Sequence, residues 1–309
     1  MTFVIHFYRR AIAKISSIIR TYYNQVVFKL YHKNPSSSLF EVALYLGQLT
    51  KFVANHKRLP LRPHTLFNDF LFQLASGPEL GSALRTFVTD KELGKSYIEQ
   101  VLGAGATSPT LCVLRTREQV DTYRPHAFPI VIKPTHSFGR VCVVSSRGDY
   151  EKAKPQIKNW LGHDYFLESM ERNYAKLERK IIVEQYIDEA FAMEGSVHCF
   201  CGEPKVITLI DRKTKERQSF DTNKTPLGVS LQYPLKEFEP KGWEFLTDLL
   251  KNSRRLSKEF SYIRIDFYTD GERVLFGELT NLPAGGMGKF FPADGEKTFS
   301  RVFFSSSQK

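Results

Sequence analysis

The chain has 309 residues, 42% hydrophobic and 25% charged, the profile of a globular protein with material for one large core or two to three small ones. Its apolar runs fall well short of the roughly 20 residues that cross a bilayer, so no transmembrane helix is predicted, and disorder is expected only at the ends. With 44 basic against 33 acidic residues the net charge is +11, which points to polyanionic company: phosphate, nucleic acid, an acidic polysaccharide or an anionic membrane surface.

The first 40 residues contain Arg9, Arg10, Lys14, Arg20, Lys29 and Lys33 and no acid. Ile5, Tyr8, Ile12, Ile15, Ile19, Tyr22 and Val26 recur there at spacings of three and four, which predicts an amphipathic helix over residues 3–31. Three readings of it stand open: packing on its own domain or on a second copy of the chain, contact with an anionic membrane surface, or an organellar transit peptide. "HKNPSSS" (32–38) is a linker, and Leu39 to about Tyr97 reads as mostly helical with breaks at "LPLRPHT" and "SGPELG". "SPTLCVL" reads as a strand and "TREQVDTY" as a short helix. Residues 128–146 read as strand, polar loop with one glycine, strand, and "RGDYEKAKPQIKNWLG" as a helix. "RKIIVEQYI" is a buried strand and "SVHCFCGEPKVITLIDR" a hairpin turned at Gly202. Cys112, Cys142, Cys199 and Cys201 match neither a zinc pair nor a disulfide framework, which implies buried, reduced thiols in a cytosolic protein; Cys199 and Cys201 would share a strand face.

Three stretches carry chemistry. Lys133 in "IVIKP" lies within an apolar strand, where an anion would neutralise it, and "THSFGRV" beyond it has hydroxyls, a histidine, a glycine and an arginine suited to covering phosphates. The competing reading is a lysine that snorkels from an edge strand beside an ordinary loop. "KIIVEQYID" is a strand opening into a connector whose backbone could read an adenine edge, with Glu184 accepting from the amino group or simply solvated. In "SYIRIDFYTDGERVLFGELTN" two strand-like runs flank Thr269, Asp270 and Gly271 and bring Asp266 and Glu278 into one hairpin; the alternatives are a metal site and a surface ion pair of Arg264 with Glu278.

Parity decides between those alternatives, because side chains alternate faces along a strand. A two-residue loop at Asp270 and Gly271 would send Asp266 and Glu278 to opposite faces. A three-residue loop at 269–271, with Gly271 in the left-handed position, would pair Tyr268 with Glu272 and bring Arg264, Asp266, Glu278 and Thr280 together. The expectation is an odd-length turn.

The ordered motifs "HTLFNDFLF", "VTDKELGKSYI", "FPIVIKPTHSFG", "IIVEQYID", "HCFCGEPKVI" with "IDR", and "YIRIDFYTDGERVLFGELTNLPAGG" resemble the TupA-like branch of the ATP-grasp superfamily, over about Thr65 to Pro292. The resemblance implies an α+β ATP-grasp fold in which two subdomains hold ATP, with magnesium on its phosphates, preceded here by the N-terminal amphipathic helix. Carried over, it implies that Lys91 and Lys133 contact phosphates under the His136, Ser137 and Gly139 loop, and that Glu184, Gln185, Tyr186 and Ile187 form the adenine connector with Glu194 also toward the nucleotide. Arg264, Lys133 and Arg212 would act on the transferred phosphoryl group, and Asp266, Glu278, Thr280 and Asn281 would furnish the metal site. The chain departs from the branch in three places. Thr280 occupies the slot the wider superfamily gives to asparagine, the loop has one glycine fewer, and Ser196 replaces a lysine for which Arg212 would compensate.

The implied reaction is ligation: a carboxylate becomes an acyl phosphate and an amine converts it to an amide, in the setting of surface polysaccharide assembly. Substrates would be ATP, an acidic glycan or small carboxylate, and an amine. Alternatives are a kinase for a sugar or small alcohol, or a scaffold that has lost turnover. No nucleic-acid recognition motif is present. The expected location is cytoplasmic, with the N-terminal helix available for the inner membrane face or for oligomer formation. The expected divisions are 1–35, helix and linker; 36–125, N-terminal subdomain; 126–190, central ATP-binding subdomain; and 191–309, C-terminal subdomain with the metal hairpin.

Overall fold

The computed structural model describes residues 20–240 and 242–305. Most of the predicted N-terminal stripe, Ile5 to Ile19, lies outside the described residues; the described part of its helix is α1, residues 20–33. The stripe does not mark the packed face. Tyr22 is 71% and Val26 40% exposed, whereas Val27 and Tyr31 join Phe40, Leu44, Phe166 and Met170 in one cluster. Helix α1 therefore packs on its own chain, against α2 (Ser38–His56) and α8 (Tyr165–Ser169), through a neighbouring face. The remaining N-terminal helices are α3 (Phe67–Ser76), α4 (Ala83–Thr89) and α5 (Lys91–Leu102), as the mostly helical reading of 39–97 expected.

Two antiparallel sheets form the frame. The smaller joins β1 (Thr110–Leu114), β2 (Ile130–Pro134), β3 (Cys142–Val144) and β4 (Ile181–Gln185) in the order β1-β4-β2-β3. Strand β1 thus lies on one side of the expected division at 125 and pairs with β4 on the other. Alternation along β2 drives Ile130 and Ile132 into a core with Val183, Tyr150 and Ile157, which leaves Val131 and Lys133 on the opposite face. That core is covered by α6 (Arg117–Thr122), started by a Thr116–Gln119 capping box, and by α7 (Arg147–Leu161). Pro155 sits inside α7, where it forgoes a backbone hydrogen bond. The helix continues because Tyr150, Ala153, Ile157 and Trp160 are all buried against the sheet.

The larger sheet runs β10-β9-β5-β6-β7, with β5 (Met193–Phe200), β6 (Glu203–Asp211), β7 (Arg217–Asp221), β9 (Tyr262–Thr269) and β10 (Val274–Thr280). One face buries Val197, Leu209, Ile265 and Phe267 against α5 and α9 (Leu246–Ser257). At one end of the sheet Tyr262 and Val206 pack with Phe67 of α3 and with Phe299 and Phe303 of α10 (Gly295–Phe303). A two-stranded ladder of β8 (Ser230–Leu231) and β11 (Phe290–Phe291) completes the fold. The architecture is α+β, and among the described residues no helix is long and apolar enough to cross a membrane.

The cysteines are all free, but Cys199 alone is buried; Cys201 is exposed in the β5–β6 turn at φ 48°, off the strand face the sequence reading gave it. The β9–β10 turn also differs from expectation. Thr269 pairs with Val274, so the turn spans residues 270–273, an even number. Gly271 does take a left-handed conformation, at φ 105°. Parity is restored further along: a bulge at Gly277 lets Glu278 pair with Asp266 and Thr280 with Arg264.

Candidate functional site

Between the sheets lies a cleft of about 710 Å³, within the usual range for a small-molecule site. Its floor is the polar face of the larger sheet, where register sets two rows side by side: Ser196–Asp266–Glu278 and His198–Arg264–Thr280. Its roof is the free face of β2 and β4 with Lys133 and Glu184. Ser196 is thus the direct neighbour of Asp266.

Arg264 grips Asp266 with two hydrogen bonds, Nε to Oδ1 at 2.7 Å and Nη2 to Oδ2 at 2.6 Å, and Thr280 Oγ1 lies 3.3 Å from both Arg264 Nη2 and Asp266 Oδ2. Burial pushes the Asp266 carboxyl up to about 6; Arg264 opposes this and the Glu278 charge adds to it. Glu278 goes the other way: burial alone would raise it, but Lys91, Lys133 and Arg264 hold it below the usual carboxylate range. Two adjoining half-buried carboxylates form a hard, all-oxygen donor pair whose mutual repulsion a divalent cation would relieve. Magnesium takes one or two protein carboxylates and completes its shell with phosphate oxygens and water, so the pair fits it. Among the described residues no group of three or more His, Cys, Asp or Glu side chains forms a metal cage. The fit is therefore to a metal that arrives with phosphate.

The lysines are organised by one carboxylate. Glu184, 4% exposed, accepts from Lys133 Nζ at 2.6 Å through Oε2 and from Lys95 Nζ at 2.7 Å through Oε1. Both oxygens thus carry a lysine, so Glu184 is not simply solvated: it orients Lys133, while each oxygen keeps a second lone pair. Lys95 escaped the sequence reading, although it lies one helical turn beyond Lys91 on α5 and so shares its face. Lys91, at the first turn of α5, donates to the Ser137 carbonyl at 2.7 Å; burial lowers its amine, with Glu278 opposing. The connector residues Gln185, Tyr186 and Ile187 line the cleft beside Glu194.

Of the other predicted site residues, some leave the cleft and some line it with different partners. His136 is 3% exposed and turned away: its Nδ1 accepts from the Lys180 N–H at 3.3 Å and its Nε2–H faces the Trp160 carbonyl at 3.1 Å. Ser137 is buried with no hydrogen-bond partner for its hydroxyl, so the loop meets the cleft through Phe138 and Gly139 instead. Arg212 lines the cleft but its guanidinium donates to the carbonyls of Asp188 (3.0 Å) and Phe191 (2.7 Å), bracing the connector. Asn281 leaves the metal pair altogether. Strand alternation turns it to the far side, where its Oδ1 accepts from Arg85 at 2.7 Å and its Nδ2 donates to Thr89 at 3.0 Å.

The TupA-like ATP-grasp pattern matches residues 81–303 of this chain. Similar solved structures include a D-alanine–D-alanine ligase from Bacillus anthracis in complex with ATP, 16% identical at TM-score 0.41 over 64% of this chain and 54% of that one. An L-amino acid ligase from Bacillus licheniformis is 15% identical at TM-score 0.45, over 85% and 60%. A macrocyclase from Microcystis aeruginosa with its precursor peptide is 15% identical at TM-score 0.40, over 73% and 64%. The chain thus spans between 54% and 64% of the length of these three proteins. No curated protein matches it. The pattern covers well over half of the sequence, in the segment that builds both sheets and the cleft between them: the chain belongs to the TupA-like ATP-grasp family.

Proposed function

We propose that the chain is an ATP-dependent carboxylate–amine ligase that works through an acyl phosphate, in the assembly of a surface polysaccharide. The observation that carries this reading is the convergence of Lys91, Lys133, Arg264, Asp266 and Glu278 on one cleft. In it, ATP lies between the two sheets, its adenine against the Gln185–Ile187 backbone and its phosphates toward Lys91 and Lys133. Asp266 and Glu278 hold magnesium, with Thr280 beside them, and magnesium when bound supplies charge neutralisation on the phosphates.

The protein's own contribution is electrostatic. Phosphoryl transfer spreads negative charge over the γ-phosphoryl oxygens, and preorganised cations aimed at that charge lower the barrier. Lys133 is fixed by Glu184 and Arg264 by Asp266, so neither pays reorganisation cost during transfer. A carboxylate oxygen attacks the γ-phosphorus and ADP leaves; the amine then displaces phosphate from the acyl carbon.

The net charge of +11 suits an acidic glycan as carboxylate donor. The test is a screen of amino acids against uronic-acid acceptors with ADP release as readout. ADP that appears only when carboxylate and amine are both present supports the ligase; release that needs no amine identifies a kinase instead.

A further inference from the structure

Beside the nucleotide cleft, next to the helical turn Arg172–Tyr174, lies a buried carboxyl that no hydrogen bond or ion pair among the described residues engages. Glu171 is 7% exposed. Its backbone is engaged, the N–H donating to Ser169 Oγ at 3.1 Å and the carbonyl accepting from the Tyr174 N–H at 3.0 Å. Among the described residues its carboxylate receives no hydrogen bond and forms no ion pair. Lys51 of α2, whose charge acts on it, donates its hydrogen bond to the Ser169 carbonyl instead. Burial accordingly pushes the Glu171 carboxyl up to about 7, with the Lys51 charge opposing. A buried carboxylate avoids a cost of several kcal/mol either by holding a proton or by meeting a cation, and the space in front of this one admits a cation.

The carboxylate faces a pocket of about 40 Å³, room for about two or three small heavy atoms. Tyr165 and Tyr174 form one wall, with ring centroids 4.6 Å apart and planes at 69°. Gly285, at φ 61°, forms another; a Cβ there would stand 3.4 Å from Glu171 Oε1, so glycine both permits the turn and keeps the carboxylate accessible. The remaining lining includes Lys95, whose ammonium is held by Glu184, and Lys91, Glu278 and Thr280, which also line the cleft. The pocket therefore opens on the metal and phosphate end, not on the adenine connector. Tyr174 spans the two: burial, then Glu171, Tyr165 and Glu278, raise its phenol well above the ordinary value.

We propose that this pocket is the amine subsite, in which Glu171 receives the ammonium group of the nucleophilic substrate beside the Tyr165 and Tyr174 rings. A carboxylate repels anions and a neutral group would leave its charge uncompensated, whereas an ammonium satisfies it and is also attracted to aromatic faces. The inference rests on the ligase reading and adds to it the route by which the amine reaches the acyl phosphate. The ammonium passes one proton to the Glu171 carboxylate, and the freed lone pair forms the C–N bond. The C–O bond to phosphate breaks with its electrons on phosphate, which leaves as hydrogen phosphate carrying the second N–H proton.

The test is calorimetric titration of the full-length chain with the diamine putrescine, in the presence of magnesium and a non-hydrolysable ATP analogue, with neutral butanediol as control. Putrescine should bind and butanediol should not. Glu171→Gln should weaken putrescine at least about tenfold, while Glu171→Asp, which keeps the charge, retains most of the affinity; both variants should bind the nucleotide analogue as the parent does. Equal putrescine binding by parent and Glu171→Gln, or none by a parent that binds nucleotide, overturns the subsite and leaves the nucleotide site standing. Glu171-dependent putrescine binding by a chain that binds no nucleotide contradicts the ligase reading alone, and binding of neither overturns both.

Discussion

Glu278 stands directly opposite Asp266 on the β9–β10 ladder, and it does so only because Gly277 is an extra residue in β10. Continued without interruption from the Thr269–Val274 pair, the ladder would set residue 277 against Asp266 and send Glu278 to the core face. The bulge therefore makes the carboxylate pair.

The bulge can be tested from both directions. A methyl group at 277 would stand 3.2 Å from the Tyr268 ring and 3.5 Å from the Asp266 carbonyl, so Gly277→Ala should cost about 1–2 kcal/mol in denaturant unfolding and weaken magnesium-dependent ATP binding. Deletion of Gly277 leaves Glu278 next after Phe276 and still opposite Asp266 in a regular ladder. It should therefore keep magnesium-dependent binding. A deletion variant that loses it while remaining folded would show that the bulge does more than set parity.

Lys133→Ala and Lys91→Ala should each reduce ATP binding or turnover at least about tenfold, equivalent to about 1.4 kcal/mol. The Lys133 change should leave the fold intact, because Glu184 keeps Lys95 as partner at 2.7 Å. Removing Glu184 is more severe. Glu184→Gln leaves Lys95, with 7% side-chain exposure, without its countercharge and held only by the Ser108 carbonyl and hydroxyl, and should lower unfolding stability by about 3 kcal/mol as well as loosening Lys133. Unchanged kinetics in both lysine variants would mean that the phosphates lie elsewhere.

Asn281 separates structure from chemistry. Its amide ties Arg85 to Thr89 in a buried network, so Asn281→Ala should cost about 2–3 kcal/mol in thermal or denaturant unfolding. The magnesium concentration that half-saturates ATP binding should not move. A large shift in that concentration would restore Asn281 to the metal site.

Glu171 gives the pH signature. Folding raises its carboxyl from 4.5 to about 7, so the folded protein holds a proton that the unfolded chain releases. The associated stability is complete below about pH 4.5 and is lost as pH rises through 7. Lys51, lowered to about 8, acts above this window, and Tyr165 and Tyr174 are raised, so they stay neutral. Between pH 5 and 7 the parent should therefore lose roughly 1–3 kcal/mol relative to Glu171→Gln. Parallel stability curves for the two proteins would contradict this.

Much of the frame is legible in the sequence because it depends on local alternation. The alternating apolar positions of β9 predict which face it buries, the continuous apolar run of β4 predicts a buried strand, and "TREQVDTY" predicts α6. The site is less legible because it depends on register and on long-range pairing. The odd residue that aligns Asp266 with Glu278 lies in the strand and not in the turn, and the isolated glycine within "VLFGELT" is its signal. The pairing of Lys95 and Lys133 on Glu184 joins positions from α5, β2 and β4, although the 91–95 helical spacing hinted at a second lysine. His136 reads as a phosphate ligand by its loop, but the loop packs it under Trp160. Likewise α1 buries a face one residue removed from its most regular apolar stripe, a choice made by α2 and α8.

We propose that Asp266 and Glu278 make this cleft a magnesium–nucleotide site. Titration of ATP into the full-length chain with and without magnesium, for the parent and for Glu278→Gln, tests it most directly. Magnesium should tighten ATP binding to the parent at least about tenfold, and Glu278→Gln should abolish that gain while metal-free binding through Lys91 and Lys133 persists. An equal magnesium effect in the two proteins, or a parent that binds no ATP, would contradict the account.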